Sequence, residues 1–330
     1  MPTAFVTGAS GFVGSNLVRE LLGRGWRVRA LVRGPAPALD GLAADRIPGD
    51  LFSPVIAEAM ADCDAVFHVA ATYSLWRRDR DAVRRANVEG TRLVLGAARR
   101  ARVPRVVYTS SVAAIGVRAG GVTDERYQSP REALVGTYKR SKFDGEAEAN
   151  RAFARGQDVV IVNPTTPVGP WDSKPTPTGA VIVRFAAGRM PAYVDTGLNV
   201  VDVRDVARGH IDAYERGRAG ERYILGNENL SLRDLLERLD TLVGRPAPAV
   251  RLPHVIPLAY AALSEYVLAP LGVPADVPLE AVRMSKQRMY YDTAKAIDEL
   301  GFVRSSVTNA LADAVTWFRT HGYLPTTPGD

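Results

Sequence analysis

The chain has 330 residues, of which 46% are hydrophobic and 24% charged, and its formal net charge is +6. These values are average for soluble globular proteins and exclude a disordered or membrane-embedded chain. The length suggests one large α/β unit with an added lobe, or two domains. A single cysteine, Cys63, and four scattered histidines exclude a disulfide framework and a metal site rich in Cys or His. We therefore expect no bound metal.

The positive charge comes almost entirely from arginine, since only five of the 42 basic residues are lysine. The arginines are scattered among acidic and apolar positions, which is typical of solvated helix faces, and no nucleic-acid-binding motif accompanies them. No apolar run is long enough to span a bilayer, and the first apolar stretch, 4–6, runs directly into glycines instead of forming a signal peptide. We expect a cytoplasmic protein that binds no nucleic acid.

Short apolar runs alternate with helical patterns through the first two thirds of the chain, which indicates βαβ units and a parallel sheet. Helices are predicted at 12–24 and 83–101 from apolar residues at helical spacing. Right-handed crossovers between such elements produce a Rossmann-like, doubly wound α/β fold. The predicted strands are 4–7, 28–32, 65–68, 105–109 and 158–162.

The amino-acid composition changes in the second half of the chain. Residues 163–179 are rich in Pro and Thr and cannot form a long helix, so we interpret them as a shaped wall of a site, with a linker as the alternative. A strand and a helix are predicted at 200–216 and a strand at 222–225. A further helix is predicted at 231–243, where it begins with a near capping box and ends at Gly244. We assign 1–165, joined by 200–227, to a core domain, and 166–199 with 228–330 to a smaller C-terminal lobe.

A glycine-rich loop follows the first predicted strand and opens the first helix. Gly8 allows a tight turn, Gly11 lets the backbone approach a pyrophosphate, and Gly14 permits close helix packing. The alternative is a glycine-rich turn without a ligand. The loop predicts that the core binds a dinucleotide, with contacts from Gly8, Ser10, Gly11, Phe12 and Val13.

The second predicted strand ends in Arg33, where NAD-preferring enzymes place an acidic residue on the ribose 2′-hydroxyl. A guanidinium can instead pair with a 2′-phosphate. Arg33 therefore favours NADP(H), while NAD(H) stays open because a surface arginine after a strand is common.

Tyr138 and Lys142 stand four residues apart in a predicted helix, so their side chains lie on one face. The Lys142 ammonium can lower the pKa of the Tyr138 phenol, which can then donate or remove a proton. The same spacing recurs at Tyr291 and Lys295. No strand ending in serine precedes this second pair, and we interpret it as structural.

Two serines close the fourth predicted strand, at a point where a hydroxyl can hydrogen-bond a substrate oxygen and polarise a carbonyl. Ser110 and Ser111 are both candidates for this role, although serines after a strand often serve only as caps. A glycine loop followed by Ser111, Tyr138 and Lys142 is a far more specific pattern than any one of these motifs.

The order of these motifs and the spacing of Gly8, Gly11 and Gly14 resemble the extended short-chain dehydrogenase/reductase family, to which the NAD-dependent epimerases/dehydratases belong. The resemblance covers nearly the whole chain. Within the family the sequence is most similar to bacterial hopanoid-associated sugar epimerases, with dihydroflavonol 4-reductases as neighbours. The stretches that carry this similarity are 73–76, 162–170, 174–179, 188–199, 201–207 and 292–302.

The resemblance implies that Ser111 is the catalytic serine, with Ser110 as the alternative, and it implies further contacts. Asn87 would be the helix asparagine of these enzymes, with a helix cap as the alternative. The implied cofactor contacts, besides the glycine loop and Arg33, are Asp50, Leu51, Val69, Ala70, Ala71, Asn87, Thr109, Tyr138, Lys142, Pro164, Thr165 and Thr166. The implied substrate contacts are Tyr73, Trp76, Ser111, Thr166, Trp171, Lys174 and Tyr193.

The resemblance also implies a reaction, in which a hydride moves between nicotinamide C4 and a carbon bearing a hydroxyl or carbonyl. The family likeness predicts an epimerase, which oxidises and re-reduces the carbon without consuming cofactor. Arg33 and Thr166, a position where nucleotide-sugar enzymes tend to have Asn, favour a net carbonyl reductase instead. A sensor that binds NAD(P) without turnover is a third interpretation, against which the retained Tyr138 argues.

The substrate is predicted to be a small molecule, namely a sugar, a polyol or a hydrophobic carbonyl compound. The resemblance further implies a homodimer formed through the helices at 83–101 and 138–153, and a bacterial cytoplasmic enzyme.

Overall fold

The computed structural model describes residues 1–271 and 277–324, and within them the chain forms thirteen strands and thirteen α-helices. The strands β1 to β13 are Thr3–Thr7, Arg27–Val32, Asp45–Pro48, Ala65–His68, Arg105–Thr109, Val159–Pro164, Thr166–Val168, Ala192–Val194, Gly197–Asp202, Arg222–Leu225, Glu228–Ser231, Val250–Leu252 and Arg288–Met289. The helices α1 to α13 are Phe12–Gly23, Ile56–Ala59, Arg80–Arg84, Thr91–Arg100, Val112–Ile115, Gly136–Ala154, Pro177–Ala186, Val203–Arg216, Leu232–Val243, Val255–Leu263, Leu279–Met284, Ala294–Leu300 and Val307–Thr320.

The main sheet has seven parallel strands in the order β3-β2-β1-β4-β5-β6-β10. Its central strands are buried apolar runs, since both faces are covered by helices. The strand order reverses between β1 and β4, where the paired residues include Thr7 and His68. A crevice opens at the carboxyl ends of the strands at such a switch point, and ligands of doubly wound folds bind there.

Two apolar layers cover the main sheet. One layer packs α1 and α8 on the sheet through Leu17, Val206 and Phe67. The other packs α4 and α6 on the opposite face through Val94 and Ala149. These layers confirm the predicted Rossmann-like, doubly wound α/β class.

A second unit of structure forms around β9, which pairs with β7, β11 and β13. Its apolar core comes from α7, α9 and α13 and includes Phe185, Leu239 and Phe318. β9 belongs to this sheet, whereas α8 packs on the main sheet and β10 is one of its strands. The assignment of a cofactor domain and a substrate lobe stays a prediction.

Most predicted elements are present, and the differences have local causes. The capping box of α9 forms, with Ser231 accepting from Asp234 N at 3.1 Å, and Gly244 ends the helix in the left-handed region. The sequence missed β3, an exposed edge strand without an apolar run. The stretch 163–179, predicted as a loop, includes the end of β6, all of β7 and the start of α7. Across the described part of the chain, every helix is too short or too polar to cross a membrane.

Candidate active site

The glycine loop lies at the carboxyl end of β1, beside the switch point of the main sheet. Gly8 has a φ of +69°, and a Cβ there would lie 2.6 Å from the backbone nitrogen of Ala70. A Cβ on Gly14 would lie 2.0 Å from the carbonyl oxygen of Gly8. Gly11 is exposed at the N-cap of α1, and none of the described side chains caps that helix end. The first turn of α1 therefore presents N–H groups to the crevice.

Two buried residues that the sequence analysis missed hold the loop after β4 in place. The Thr7 hydroxyl accepts from Ala70 N at 3.2 Å and bonds His68 Nδ1 at 2.7 Å. His68 Nε2 in turn lies 3.1 Å from the hydroxyl of Thr91. Burial, assisted by the charge of Lys142, lowers the pKa of His68 to about 3, so this imidazole is neutral. His68 is followed directly along the chain by three of the predicted cofactor contacts, Val69, Ala70 and Ala71.

Arg33 is exposed at the end of β2, near the turn that holds Asp50. The Asp50 carboxylate accepts from Phe52 N at 2.9 Å, which is the main reason that its pKa lies below the usual range, and the positive charge of Arg33 adds to this effect. Leu51 is buried against Gly90. The residue that follows β2 therefore carries a guanidinium rather than a carboxylate.

Tyr138 and Lys142 lie one turn apart on α6, and both side chains are buried. Burial raises the pKa of Tyr138 to about 12, an effect opposed by hydrogen bonding with Ser111. The Lys142 ammonium donates to the carbonyl oxygen of Thr109 at 3.0 Å. Burial lowers the pKa of Lys142 to about 8, against the opposing charge of Glu146. The structure thus brings together the three residues predicted to carry the chemistry.

Ser111 and Ser110 have different partners. Ser110 donates to the buried carboxylate of Glu146 at 2.6 Å, and Asn163 and Arg222 also donate to that carboxylate. Ser111 is the N-cap of α5 and accepts from Ala113 N at 3.2 Å, and its hydroxyl also hydrogen-bonds Tyr138, so it lies beside the predicted proton donor. The geometry favours Ser111 over Ser110 as the residue that orients substrate.

Asn87 lies within a continuous helical stretch, in the π-helical segment Arg85–Gly90, so it is not a helix cap. Its amide oxygen accepts from Thr72 N at 2.8 Å, and its amide nitrogen donates to Thr72 O and to the Ser141 hydroxyl at 2.9 Å. Asn87 therefore links the loop after β4 to α6. Its partner on α6 is Ser141, the residue that precedes Lys142.

An apolar roof covers Tyr138. The rings of Tyr73 and Tyr138 lie 4.2 Å apart between centroids, and Leu75 and Ala113 pack in the same cluster. Ala281 and Met284 of α11 complete the roof.

A buried carboxylate fixes α11 to the start of α6. Glu280 accepts from Thr137 N at 3.1 Å, and the close approach of its side chain explains the glycine at 136. Arg80 lies 3.7 Å from the same carboxylate. No sequence pattern predicts this contact, because Thr137 and Glu280 are 143 residues apart in the chain.

The remaining predicted contacts are dispersed. Trp171 packs against Arg19 and Trp317, and Tyr193 joins the same lobe core, so packing alone accounts for both rings. Lys174 and Trp76 lie on the loops before α7 and before α3, and Lys174 is exposed. Pro164, Thr165 and Thr166 connect β6 to β7, and Thr165 N donates to Leu225 O at 3.0 Å.

The second tyrosine and lysine pair has structural partners. Tyr291 is buried and donates to the carbonyl oxygen of Gly116 at 2.9 Å. Lys295 forms an ion pair with Glu221 at 2.6 Å and donates to Arg222 O at 2.9 Å. These bonds agree with the interpretation of this pair as structural.

The residues present fit a dinucleotide. The backbone packs closely at Gly8 and Gly14, so the loop contacts the first turn of α1. The N–H groups of that turn suit a pyrophosphate. Fold and site together define an NAD(P)-dependent enzyme of the extended short-chain dehydrogenase/reductase type.

Comparison with known proteins identifies the family. Residues 4–226 match the model of the NAD-dependent epimerase/dehydratase family, and the chain belongs to it. It is 55% identical to a dihydroflavonol 4-reductase-like protein of Synechocystis sp., over 98% of this chain and 96% of that one. It is 39% identical to sterol demethylase protein B of Methylococcus capsulatus, over 98% and 100% of the two chains. The crystal structure of a nucleoside-diphosphate-sugar epimerase from Pseudomonas aeruginosa superposes with a TM-score of 0.82 at 28% identity, over 98% and 99% of the chains.

Proposed function

We propose that the protein is an NAD(P)H-dependent carbonyl reductase that acts on an apolar ketone or aldehyde. The observation that carries this proposal is the buried arrangement of Ser111, Tyr138 and Lys142 beneath an apolar roof. A reduced nicotinamide supplies the hydride when the cofactor is bound.

The three residues have separate roles in this reaction. Ser111 donates a hydrogen bond to the carbonyl oxygen and orients it. Tyr138, a phenol whose pKa burial raises further above neutral pH, gives its proton to that oxygen. The positive charge of Lys142, held by Thr109 O, favours the phenolate that remains.

The substrate class follows from the surroundings of Tyr138. Tyr73, Leu75, Ala281 and Met284 offer apolar surface and no charge to a bound molecule. A nucleotide-sugar carries a diphosphate, for which this roof has no complementary group. The names of the two relatives described above, a reductase-like protein and a sterol demethylase protein, also suit an apolar substrate.

The position of Arg33 supports NADPH as the preferred donor. Its guanidinium is exposed at the end of β2, where the ribose of a bound dinucleotide lies in this fold, and it can form charge-assisted hydrogen bonds to a 2′-phosphate.

Epimerisation is the second candidate function. The matching family model and the similar structure from Pseudomonas aeruginosa favour it, and the sequence resembles hopanoid-associated sugar epimerases. Tyr138 would then take the proton of one sugar hydroxyl as its carbon loses a hydride to the oxidised nucleotide, and would return the proton once the hydride has re-entered on the other face of the ketone, with the nucleotide unchanged at the end of each cycle. The apolar roof is the reason that we place this function second.

The distinguishing experiment follows the redox state of the nucleotide. The purified protein is supplied with NADPH or NADH and a panel of aromatic, isoprenoid and steroid ketones, and separately with NAD⁺ and sugar nucleotides. We expect net oxidation of NADPH that depends on an apolar ketone. A change in sugar configuration without net redox change would establish the epimerase instead, and binding of nucleotide without any turnover would support a sensor.

A further inference from the structure

The segment 255–271 concentrates exposed apolar side chains in one place. It comprises α10, the π-helical turns Ser264–Leu268 and the final turn Ala269–Leu271. Single exposed apolar residues are normal on a protein surface, but a contiguous set marks an interaction site. The exposed fractions are 66% for Val255, 50% for Ile256, 50% for Leu263, 50% for Tyr266, 47% for Val267 and 74% for Leu271.

The opposite side of this segment is firmly packed. Ala261 and Ser264 are buried, and the buried side packs against Leu279 and Val282 of α11. Glu265, the single charged residue of the segment, accepts from Leu279 N at 3.1 Å. The segment is therefore apolar on both its packed side and its outward side, and the outward side carries no charge.

Arginines border this uncharged face. The Arg77 guanidinium lies over the ring of Tyr266 at 5.6 Å, and the side chain of Arg78, on the same turn, is 80% exposed and lies 3.9 Å from the carboxylate of Asp79. Arg80 follows one turn later and its side chain is half exposed. An apolar helix face with a cationic edge is complementary to the surface of an anionic bilayer, where acyl chains lie beneath phosphates. A soluble protein partner, or a second copy of this chain, would need acidic residues around its own contact surface to pair with these arginines.

We propose that this docking face, formed by 255–271 with Arg77 and Arg78, binds the surface of membranes that contain anionic lipids, with the helix lying in the plane of the interface. The apolar side chains enter the acyl boundary and the guanidinium groups contact lipid phosphates. The interaction is peripheral and reversible.

The docking face is connected to the active site through α11. That helix packs on the segment through Leu279 and Val282, and on Tyr138 through Ala281 and Met284. Docking would bring the roof of the site next to the bilayer, from which an apolar ketone could enter without crossing water. This consequence rests on the proposed function, whereas the docking itself does not.

The test is flotation of the full chain with vesicles of phosphatidylcholine alone or mixed with phosphatidylglycerol. We expect binding to the mixed vesicles that weakens at high salt. The double variant Ile256→Glu/Leu263→Glu should reduce binding about tenfold or more, since two charges would enter the acyl boundary. Arg77→Glu/Arg78→Glu should remove the preference for phosphatidylglycerol.

Matched controls come from a different surface. Val303 is 68% exposed and Arg304 is also exposed, so Val303→Glu and Arg304→Glu each make one substitution of the same type as those in the test variants without touching the docking face. Both controls should float like the wild type, and thermal unfolding should verify that all variants are folded.

Several results would overturn the proposal. One is absence of the wild type from both vesicle fractions, and another is equal binding by wild type and the Ile256→Glu/Leu263→Glu variant. If the wild type instead self-associates and that variant abolishes the self-association, a second copy covers the face and the membrane proposal is wrong. Carbonyl turnover is measured separately, so failure of the reductase proposal leaves the vesicle result interpretable.

Discussion

Arg33 is the residue on which the choice of nucleotide depends. If its guanidinium binds a 2′-phosphate, Arg33→Ser should lower kcat/KM for NADPH by about ten- to hundredfold, because a charge-assisted contact is lost, and should change the value for NADH little. Arg27, exposed at the opposite end of β2, provides the matched control Arg27→Ser. An unchanged NADPH to NADH ratio in Arg33→Ser would contradict this role.

Lys142 gives the reaction a pH dependence. Burial lowers its pKa to about 8, so the side chain loses its positive charge as pH rises through that value. Because Lys142 must be charged to favour the Tyr138 phenolate, kcat for reduction should decline above about pH 8. Lys142→Arg, although slower, should keep its charge and move the decline upward. A wild-type profile that stays flat to about pH 10 would contradict this account.

At the scale of elements, the N-terminus of α1 depends on Gly14. A methyl group there would collide with the carbonyl oxygen of Gly8 at 2.0 Å, so Gly14→Ala should lower the free energy of unfolding by about 2–4 kcal/mol and impair nucleotide binding. Gly23 lies in the same helix with nothing within 4 Å of an added Cβ. Gly23→Ala should therefore raise the free energy of unfolding by up to about 1 kcal/mol and leave nucleotide binding intact.

Urea unfolding and nucleotide titration measure both effects of this pair of variants. Equal stability and equal nucleotide affinity for Gly14→Ala and Gly23→Ala would show that close packing at Gly14 is unnecessary.

The elements differ in how well sequence predicts them. The strands 65–68 and 105–109 match β4 and β5 to the residue, because buried parallel strands are short apolar runs between helices. The edge strand β3 has two exposed residues at its start and ends in Pro48, so no apolar pattern marked it. Propensity and periodicity predict local structure, whereas the edge strand β3 forms by pairing with its neighbour β2.

The predicted site shows the same limit. Gly8, Ser111, Tyr138 and Lys142 carry local motifs, and the fold brings them to one end of the sheet. Glu280 and Met284 come from a distant helix, and no local pattern connects them with Tyr138. Trp171 and Tyr193 pack against the apolar core of the second unit, and their role as substrate contacts stays a prediction.

For the whole molecule, the family resemblance predicts a homodimer through the helices at 83–101 and 138–153. Leu93 on α4 is 38% exposed, and a dimer interface would cover it. We expect light scattering to give twice the chain mass for the wild type, and Leu93→Glu to shift the protein to monomers because the charge would be buried. Val122, 50% exposed, gives the control Val122→Glu, which should remain dimeric. A monomeric wild type would contradict the prediction.

The central claim is that Tyr138 is the proton donor of an NAD(P)H-dependent enzyme, and Tyr138→Phe tests it most directly. With nucleotide binding and turnover measured on the same preparation, Tyr138→Phe should lower kcat by at least about a hundredfold and leave nucleotide affinity unchanged. Tyr291→Phe, at the second site with the same spacing, loses only a hydrogen bond to Gly116 and should retain kcat within about tenfold. Full turnover in Tyr138→Phe would contradict the assignment.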